Sequence, residues 1–403
     1  MGLSGSSNGS AADLALANRV LTDKLNRLMA PAHVQTGLTG ADAIVTHVEV
    51  NDHHGVGVLV RRLFGDHPNI LSVRSRNLYG GRQEFGAMSV CVAHQETSRD
   101  HVLWNMLRAL HGSTVDRVLC APYFPDDVLN AIALKELFGV PLCTYLMDDQ
   151  NVCSDGIPDA LIAELLEKSA LRLAISPELA HAYERKYQTK MWLMPPVVPH
   201  RFIPPYANYG RGADPVIVGN IWGRRWVELL RRTVSGSGVK LRWFNNGEFP
   251  WLPCSVKDLE SDGIFPQQQS APDQALISIL RDASFVVLPS GTLDDSDDRR
   301  AIARLSFPSR IPYILASSHA PILVLGHPDT AAARFVTREG IGMVAPYETS
   351  GFLEAVRRIS APEMNRRYRE AAFGIAKRYT DLGAAEWIWN SLASGRPADG
   401  RYF

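Results

Sequence analysis

From residue 43 onward, short β-rich apolar runs alternate with helical stretches, and the alternation is broken once, by Pro195-Pro196-Val197-Val198-Pro199-His200-Arg201-Phe202-Ile203-Pro204-Pro205. Apolar runs that are nearly continuous suit strands covered on both faces, and strands separated by helices pair in parallel. In the first half the strand runs fall at 43–50, 70–74, 88–93, 117–120, 141–147, 171–175 and 191–194, with helices at 55–64, 98–111, 126–138, 159–168 and 177–187. In the second half strands fall at 215–219, 239–244, 284–288, 321–325 and 342–345, with helices at 223–234, 272–282, 310–318, 328–338 and 349–358. The prolines between the halves remove donors and fix the backbone, which excludes a central strand or a helix interior and marks an interdomain linker. The expected class is α/β, with one Rossmann-like domain at 41–198 and a second at 199–378. Residues 1–40 read as a polar tail and a helix capped by Asp13, with Leu14, Ala17, Leu21, Leu25 and Leu28 on one stripe. Residues 379–403 close the chain with a last helix.

A length of 403 residues suits two such cores. Lys+Arg and Asp+Glu balance at 42 each, so no global field would hold the protein on nucleic acid, which is not the favoured partner. Cys91, Cys120, Cys143, Cys153 and Cys254 form no CxxC pair, and a reducing, cytoplasmic compartment is expected. No apolar run reaches the roughly 18 residues that span a bilayer, and no signal peptide is expected. Met1-Gly2-Leu3-Ser4-Gly5-Ser6 matches the myristoylation pattern and equally the composition of a flexible tail.

In open α/β sheets ligands bind beyond the carboxyl ends of the strands, so the loops at those ends are where chemistry is sought. Asn51-Asp52-His53-His54-Gly55-Val56-Gly57 follows the first strand, and Gly55 and Gly57 either let a ligand approach the backbone or make a tight turn into the helix. The spacing is not GxGxxG, and the adjacent His53 and His54 are poorly placed to share one metal. Asp148 and Asp149 follow the strand at 141–147, where one could accept a proton from a hydroxyl nucleophile; the alternative is a helix cap or turn. Gly219, Asn220, Arg224 and Arg225 combine a close-approach glycine with two cations at a helix start, which suits a diphosphate, although surface arginines are common. Ser306 or Ser309 can cap the helix after Pro308, leaving amides for an anion with Arg310 nearby. Asp294-Asp295-Ser296-Asp297-Asp298 contains a DxD triplet, but an acidic run flanked by Arg299 and Arg300 is expected to be a solvated mobile loop, and no metal is expected.

Phe307-Pro308-Ser309-Arg310-Ile311, through Leu315-Ala316-Ser317 to Pro321-Ile322-Leu323-Val324, resembles the donor-site helix and strand of family-4-like glycosyltransferases (glycosyl transferases group 1). The likeness continues in Thr330-Ala331-Ala332-Ala333-Arg334-Phe335-Val336, in Gly340-Ile341-Gly342, and in Leu173-Ala174-Ile175-Ser176-Pro177-Glu178-Leu179 with Tyr187 and Met194-Pro195-Pro196-Val197-Val198. It implies the GT-B architecture: two Rossmann-like domains with parallel sheets facing an interdomain cleft, acceptor mostly on the first, nucleotide sugar mostly on the second, and a terminal helix returning to the first. By the same resemblance Gly219, Asn220, Arg224 and Arg225 attend the phosphates, Phe265 with Pro266 lies near the base, and Ser306, Pro308, Ser309 and Arg310 touch diphosphate or ribose.

Two departures qualify the match. The family's paired glutamates fall about where this chain has Leu305 and Tyr313, and Asp148 stands where a histidine is frequent, which leaves retention or inversion open. The implied activity is transfer from a nucleotide diphosphate sugar to a hydroxyl of a glycan or lipid-linked acceptor, with no cofactor required and the arginines in place of a metal. A lipid-linked acceptor admits peripheral contact at the inner face of a membrane. The alternatives are a sugar-nucleotide epimerase or hydrolase, and a glycosyltransferase-like binding or scaffold protein without chemistry.

Overall fold

The computed structural model describes residues 37–402 other than 53, 111, 208–211, 246–251 and 268–271, together with Arg19, Leu21 and Thr22. Most of the expected N-terminal helix, the myristoylation-like segment and His53 therefore lie outside the described residues. The chain forms two compact units, one of Met1–Ala174, Tyr183–Trp192 and Ala385–Gly400, the other of Ile175–Ala182, Leu193–Ala384 and Arg401–Phe403.

The first unit holds β1 (Ala41–Thr46), α1 (Gly55–Phe64), β2 (Ile70–Arg74), β3 (Met88–Cys91), α2 (Arg99–Ala109), β4 (Val115–Cys120), α3 (Pro125–Phe138), β5 (Leu142–Leu146), α4 (Asp159–Lys168) and β6 (Leu171–Ala174). α5 (Pro177–Tyr187) and β7 (Trp192–Leu193) follow. Its sheet runs β3-β2-β1-β4-β5-β6-β7, and the pairs from β3 to β6 are parallel. β2 and β5 are buried at every residue, Ser72, Arg74 and Thr144 included, as strands covered on both faces are, whereas the edge strand β3 is largely open. α3 starts on Pro125, where the missing amide costs nothing, and ends at Gly139 in the left-handed region (φ 64°). β1 is shorter than the expected 43–50. It ends at Thr46, whose hydroxyl donates to the Val48 carbonyl (2.9 Å) in place of a further ladder bond. His47 and Glu49 thereby lie beyond the strand's carboxyl end instead of within it.

The second unit is built from β8 (Val216–Val218), α6 (Arg224–Val234), β9 (Leu241–Phe244), α7 (Val256–Ser261), β10 (Ile264–Gln267), α8 (Asp273–Asp282), β11 (Val286–Pro289), α9 (Arg300–Leu305) and α10 (Arg310–Ser317). β12 (Ile322–Leu325), α11 (Ala331–Arg338), β13 (Gly342–Ala345), α12 (Thr349–Ser360) and α13 (Pro362–Ala376) complete it, and α14 (Ala384–Ser394) leads the chain into the first unit. The sheet order is β10-β9-β8-β11-β12-β13, parallel throughout. Trp226, Trp243, Phe285 and Phe352 anchor its core. Residues 195–205 carry only a short 3-10 turn at His200–Phe202 and one bridge, Val198 to Thr380. α7, β10 and α9 were not expected. β10 contains Pro266, and it lies at the sheet edge, where a missing amide is tolerated.

All five cysteines are free, and among the described residues no helix is long and apolar enough to cross a membrane. Gly342 of β13 faces Ile322 of β12, and a Cβ there would run into the Ile322 carbonyl. Gly342→Ala should therefore lower stability by about 1–3 kcal/mol, read as a lower urea midpoint with unchanged slope.

Candidate functional site

In both sheets the strand order reverses beside the first strand of the unit, between β1 and β4 and between β8 and β11, and the carboxyl ends there are the ligand edge of such a sheet. In the first unit that edge gathers His47 and Glu49 after β1, Tyr123 after β4 and Asp148 after β5. The Tyr123 hydroxyl donates to Asp148 Oδ2 at 2.5 Å. The same phenol ring lies 4.2 Å from the His47 imidazole, which is 5.5 Å from that of His54. Burial first, then the Asp148 carboxylate, raises the Tyr123 pKa well above its ordinary value, so the phenol stays a donor. Burial, reinforced by His54 and Arg76, lowers His47 from 6.5 to about 4, so this imidazole is neutral at neutral pH.

Glu49 is fully buried, and its carboxylate accepts from the amides of Leu78 (3.0 Å), Tyr79 (3.0 Å) and Gly81 (2.7 Å). Burial acts to raise its pKa, but the backbone hydrogen bonds, its own amide's included, outweigh burial and hold it below the ordinary value. His54 caps α1: Nδ1 accepts from the Gly57 amide (3.2 Å), which leaves Nε2–H to donate to the Glu49 carbonyl (2.8 Å).

The two expected acids part company. Asp149 is 8% exposed, and its carboxylate accepts from the amides of Asn151 (3.1 Å), Val152 (2.8 Å) and Cys153 (2.7 Å), the turn-making role that was its alternative reading. Asp148 instead takes the Tyr123 hydroxyl, whose ring meets His47. Gly55 opens α1 as an exposed residue, while a Cβ on Gly57 would strike Asn51 and His54, so Gly57 is required by the turn itself.

In the second unit Gly219, Asn220 and Arg310 come together. Arg310 Nη1 donates to the carbonyls of Val218 (2.8 Å) and Asn220 (2.7 Å), while Gly219 adopts φ 79° with its amide on Phe244 O (2.7 Å) and its carbonyl on Trp243 Nε1 (2.8 Å). A Cβ on Gly219 would stand 3.1 Å from Arg310 Nη1. Part of Arg310 remains accessible, yet the dry surroundings of its guanidinium lower its pKa to about 10, which leaves it cationic at neutral pH.

Other donor-side expectations change. The amides of Arg224 and Arg225 already donate to the Asp298 carboxylate (3.0 and 3.3 Å), so a phosphate at the head of α6 would have to replace it. The Arg225 side chain lies 3.6 Å from Glu228. The acidic run is folded and not merely solvated: Asp297, 8% exposed, accepts from Trp226 Nε1 (2.8 Å) and from the amides of Leu293 (3.0 Å) and Arg299 (3.0 Å). Ser309 holds the N-cap position of α10 but makes no side-chain cap bond, and Ser306 closes α9 with a buried hydroxyl that has no partner among the described residues. Pro308 is half-buried between them. Phe265 sits on the edge strand β10, separated from β8 by β9. Among the described residues no group of three or more metal-ligating side chains is placed to hold an ion.

His47, Glu49, His54, Tyr79 and Tyr123 were not singled out from the sequence as site residues. His47 and Glu49 were read as strand interior, and the one available signal was the polar residues ending an otherwise apolar run.

No family model and no curated protein sequence matches the chain. Solved structures do. HepE of Anabaena, solved in complex with UDP, superposes with a TM-score of 0.62 at 12% identity over 88% of this chain and 100% of that one. Sucrose-phosphate synthase from Thermosynechococcus elongatus gives 0.60 at 12% over 88% and 98%, and a glycosyltransferase from Rickettsia africae 0.62 at 10% over 88% and 98%. At this identity the likeness establishes the fold, an α/β GT-B fold.

His47 also predicts a pH dependence. The unfolded chain binds its proton near 6.5 and the folded one only near 4, so stability is complete above pH 6.5 and falls as pH drops toward 4, by up to about 3 kcal/mol. His319, likewise lowered to about 4 by burial and then by Arg369 and Arg281, adds a similar share. His47→Gln should reduce the slope of unfolding free energy against pH over this window, measured by urea titration at several pH values; an unchanged slope would contradict the assignment.

Proposed function

We propose that the protein transfers a sugar from a nucleotide diphosphate sugar to a hydroxyl of a glycan or lipid-linked saccharide. The single observation that carries this reading is, on a GT-B fold, the tyrosine-held carboxylate at the ligand edge of the first unit's sheet; the second unit, taken by itself, holds a cation-braced glycine turn at the ligand edge of its own. The first unit takes the acceptor and the second the donor. UDP bound to HepE supports a nucleoside diphosphate as the moiety held, and five free cysteines support a reducing compartment.

In this reading Asp148 removes the proton of the acceptor hydroxyl as its oxygen attacks the anomeric carbon, and the bond from that carbon to the diphosphate oxygen breaks. Tyr123 fixes the carboxylate by donating to it. The leaving diphosphate develops negative charge that Arg310, Arg224 and Arg225 neutralise, which makes a bound metal unnecessary. Gly219 is the close-approach point, since any side chain there would displace Arg310. Asp149 shapes the loop that carries Asp148.

One observation favours a second reading, a binding protein without turnover. At the two places where the family carries glutamates, Leu305 is buried and Tyr313 donates to Asp273 (3.1 Å), so neither offers a carboxylate to a sugar.

A thermal-shift screen against uridine, guanosine, adenosine, cytidine and thymidine diphosphates should show one ligand raising Tm, by the mass-action stabilisation of about 2.7 kcal/mol at one hundred times its Kd. With the matching nucleotide sugar, Asp148→Asn should lower kcat by about 10²–10⁴-fold and leave that shift intact. Turnover abolished by chelator and restored by magnesium would overturn the metal-independent form. Binding without turnover over a broad donor and acceptor panel would favour the second reading, and sugar nucleotide conversion without acceptor would favour an epimerase or hydrolase.

A further inference from the structure

The loop between β2 and β3 is fastened from two sides by buried charge. Glu49 holds the amides of Leu78, Tyr79 and Gly81, while Arg74, 7% exposed, donates to the Gly81 carbonyl (3.1 Å) and to the Asn77 side chain (2.7 Å). Gly80 and Gly81, at φ 78° and 75°, let the chain reverse between these anchors. Burying a carboxylate and a guanidinium costs several kcal/mol each unless their hydrogen bonds are met, so a loop held by both has its shape strongly specified. Yet it presents apolar surface to solvent: Leu78 is 63% exposed and Tyr79 39%. Rigid anchoring and apolar display on one loop, at the ligand edge of a sheet, are the properties of a preformed binding wall.

The geometry narrows what would bind. The Tyr79 ring lies flat on the His54 imidazole (5.4 Å between centroids, planes 3° apart), and His54 is itself held at both nitrogens, so one face of the phenol is braced. From His54 the ring contacts run through His47 and Tyr123 to Asp148. A pyranose ring has the complementary form: one flat C–H face for an aromatic ring, and a rim of hydroxyls for polar groups. A fixed aromatic side chain offers such contact area at low entropic cost.

We propose that Tyr79, braced by His54 and locked by Glu49, is the platform on which a pyranose ring of the acceptor stacks. The proposal rests on the glycosyl-transfer reading and deepens it, naming a saccharide in place of a lipid or phosphate as the part of the acceptor recognised. Tyr79 is a positioning residue, which holds a sugar ring of the acceptor at the ligand edge that also carries Asp148.

The test is saturation-transfer NMR with the methyl glycosides of glucose, galactose, mannose and N-acetylglucosamine, on the full chain saturated with the nucleoside diphosphate that gives the largest thermal shift. At least one glycoside should receive saturation through its ring C–H protons. Tyr79→Ala should cut that signal at least fivefold, Tyr79→Phe and Tyr79→Trp should retain it, and all three variants should keep the thermal shift of the nucleotide. A glycoside signal unchanged in Tyr79→Ala, or no glycoside contact with the wild type while the nucleotide binds, overturns the proposal. A Tyr79-dependent signal from methyl-free uridine, and not from the glycosides, overturns it as well, since the platform would then serve a base. A Tyr79-dependent glycoside signal in a protein that binds no nucleoside diphosphate sustains the platform and removes the glycosyl-transfer reading instead.

Discussion

Each sheet is covered by helices on both faces, so its strands cannot show a ligand their sides; what they leave open is their ends. The order reversal beside β1 and beside β8 parts the loops at those ends, because the connections on either side lead away in opposite directions. Everything chemically distinctive in the two units lies there. His47, Tyr123 and Asp148 stand at the ends of β1, β4 and β5; the Gly219 turn and the acidic loop stand at the ends of β8 and β11.

Keeping those loops in place is the work of buried charges. Arg310 grips the carbonyls at the end of β8 and Arg74 the Gly81 carbonyl, and before the amino ends of β11 and β12 Arg369 does the same for the carbonyls of Ala283 (2.6 Å) and Ser318 (3.3 Å). The acids do the converse. Glu49, Asp149 and Asp297 each gather N–H donors that the irregular chain would otherwise leave unmet. Away from regular ladders, a guanidinium can satisfy several carbonyls and a carboxylate several amides, which makes them efficient fasteners for loop ends. Most of the charged residues that drew notice as candidate ligand groups are thus committed to the fold; Asp149 closes a backbone turn, while Asp148 takes the Tyr123 hydroxyl.

The strands that were legible are those buried on both faces, such as β2, β5 and β12, because an apolar run with that much β-branching has few other uses. Three elements escaped for local reasons. β10 contains Pro266, α7 is six residues long, and α9 begins within a charged run. The acidic run looked like a solvated loop because composition reports solubility and not partners; Trp226, seventy-one residues away in sequence from Asp297, gives that loop its fixed form. The candidate site in the first unit was half legible. Asp148 was marked by its place after an apolar strand, whereas His47 and Tyr123 were invisible, since nothing local tells where a strand stops or which rings will meet.

The sequence by itself determined the alternating α/β plan and the parallel pairing of the strands, since these follow from the periodicity of burial. Tertiary structure alone decided that Asp148 meets Tyr123 while its neighbour Asp149 closes a turn, that a carboxylate already occupies the amides at the head of α6, and that a glutamate after β1 locks a loop thirty residues on. The physical reason is that periodicity is a property of nearby residues, while a hydrogen bond or ring contact is a property of atoms the fold brings together from distant ones.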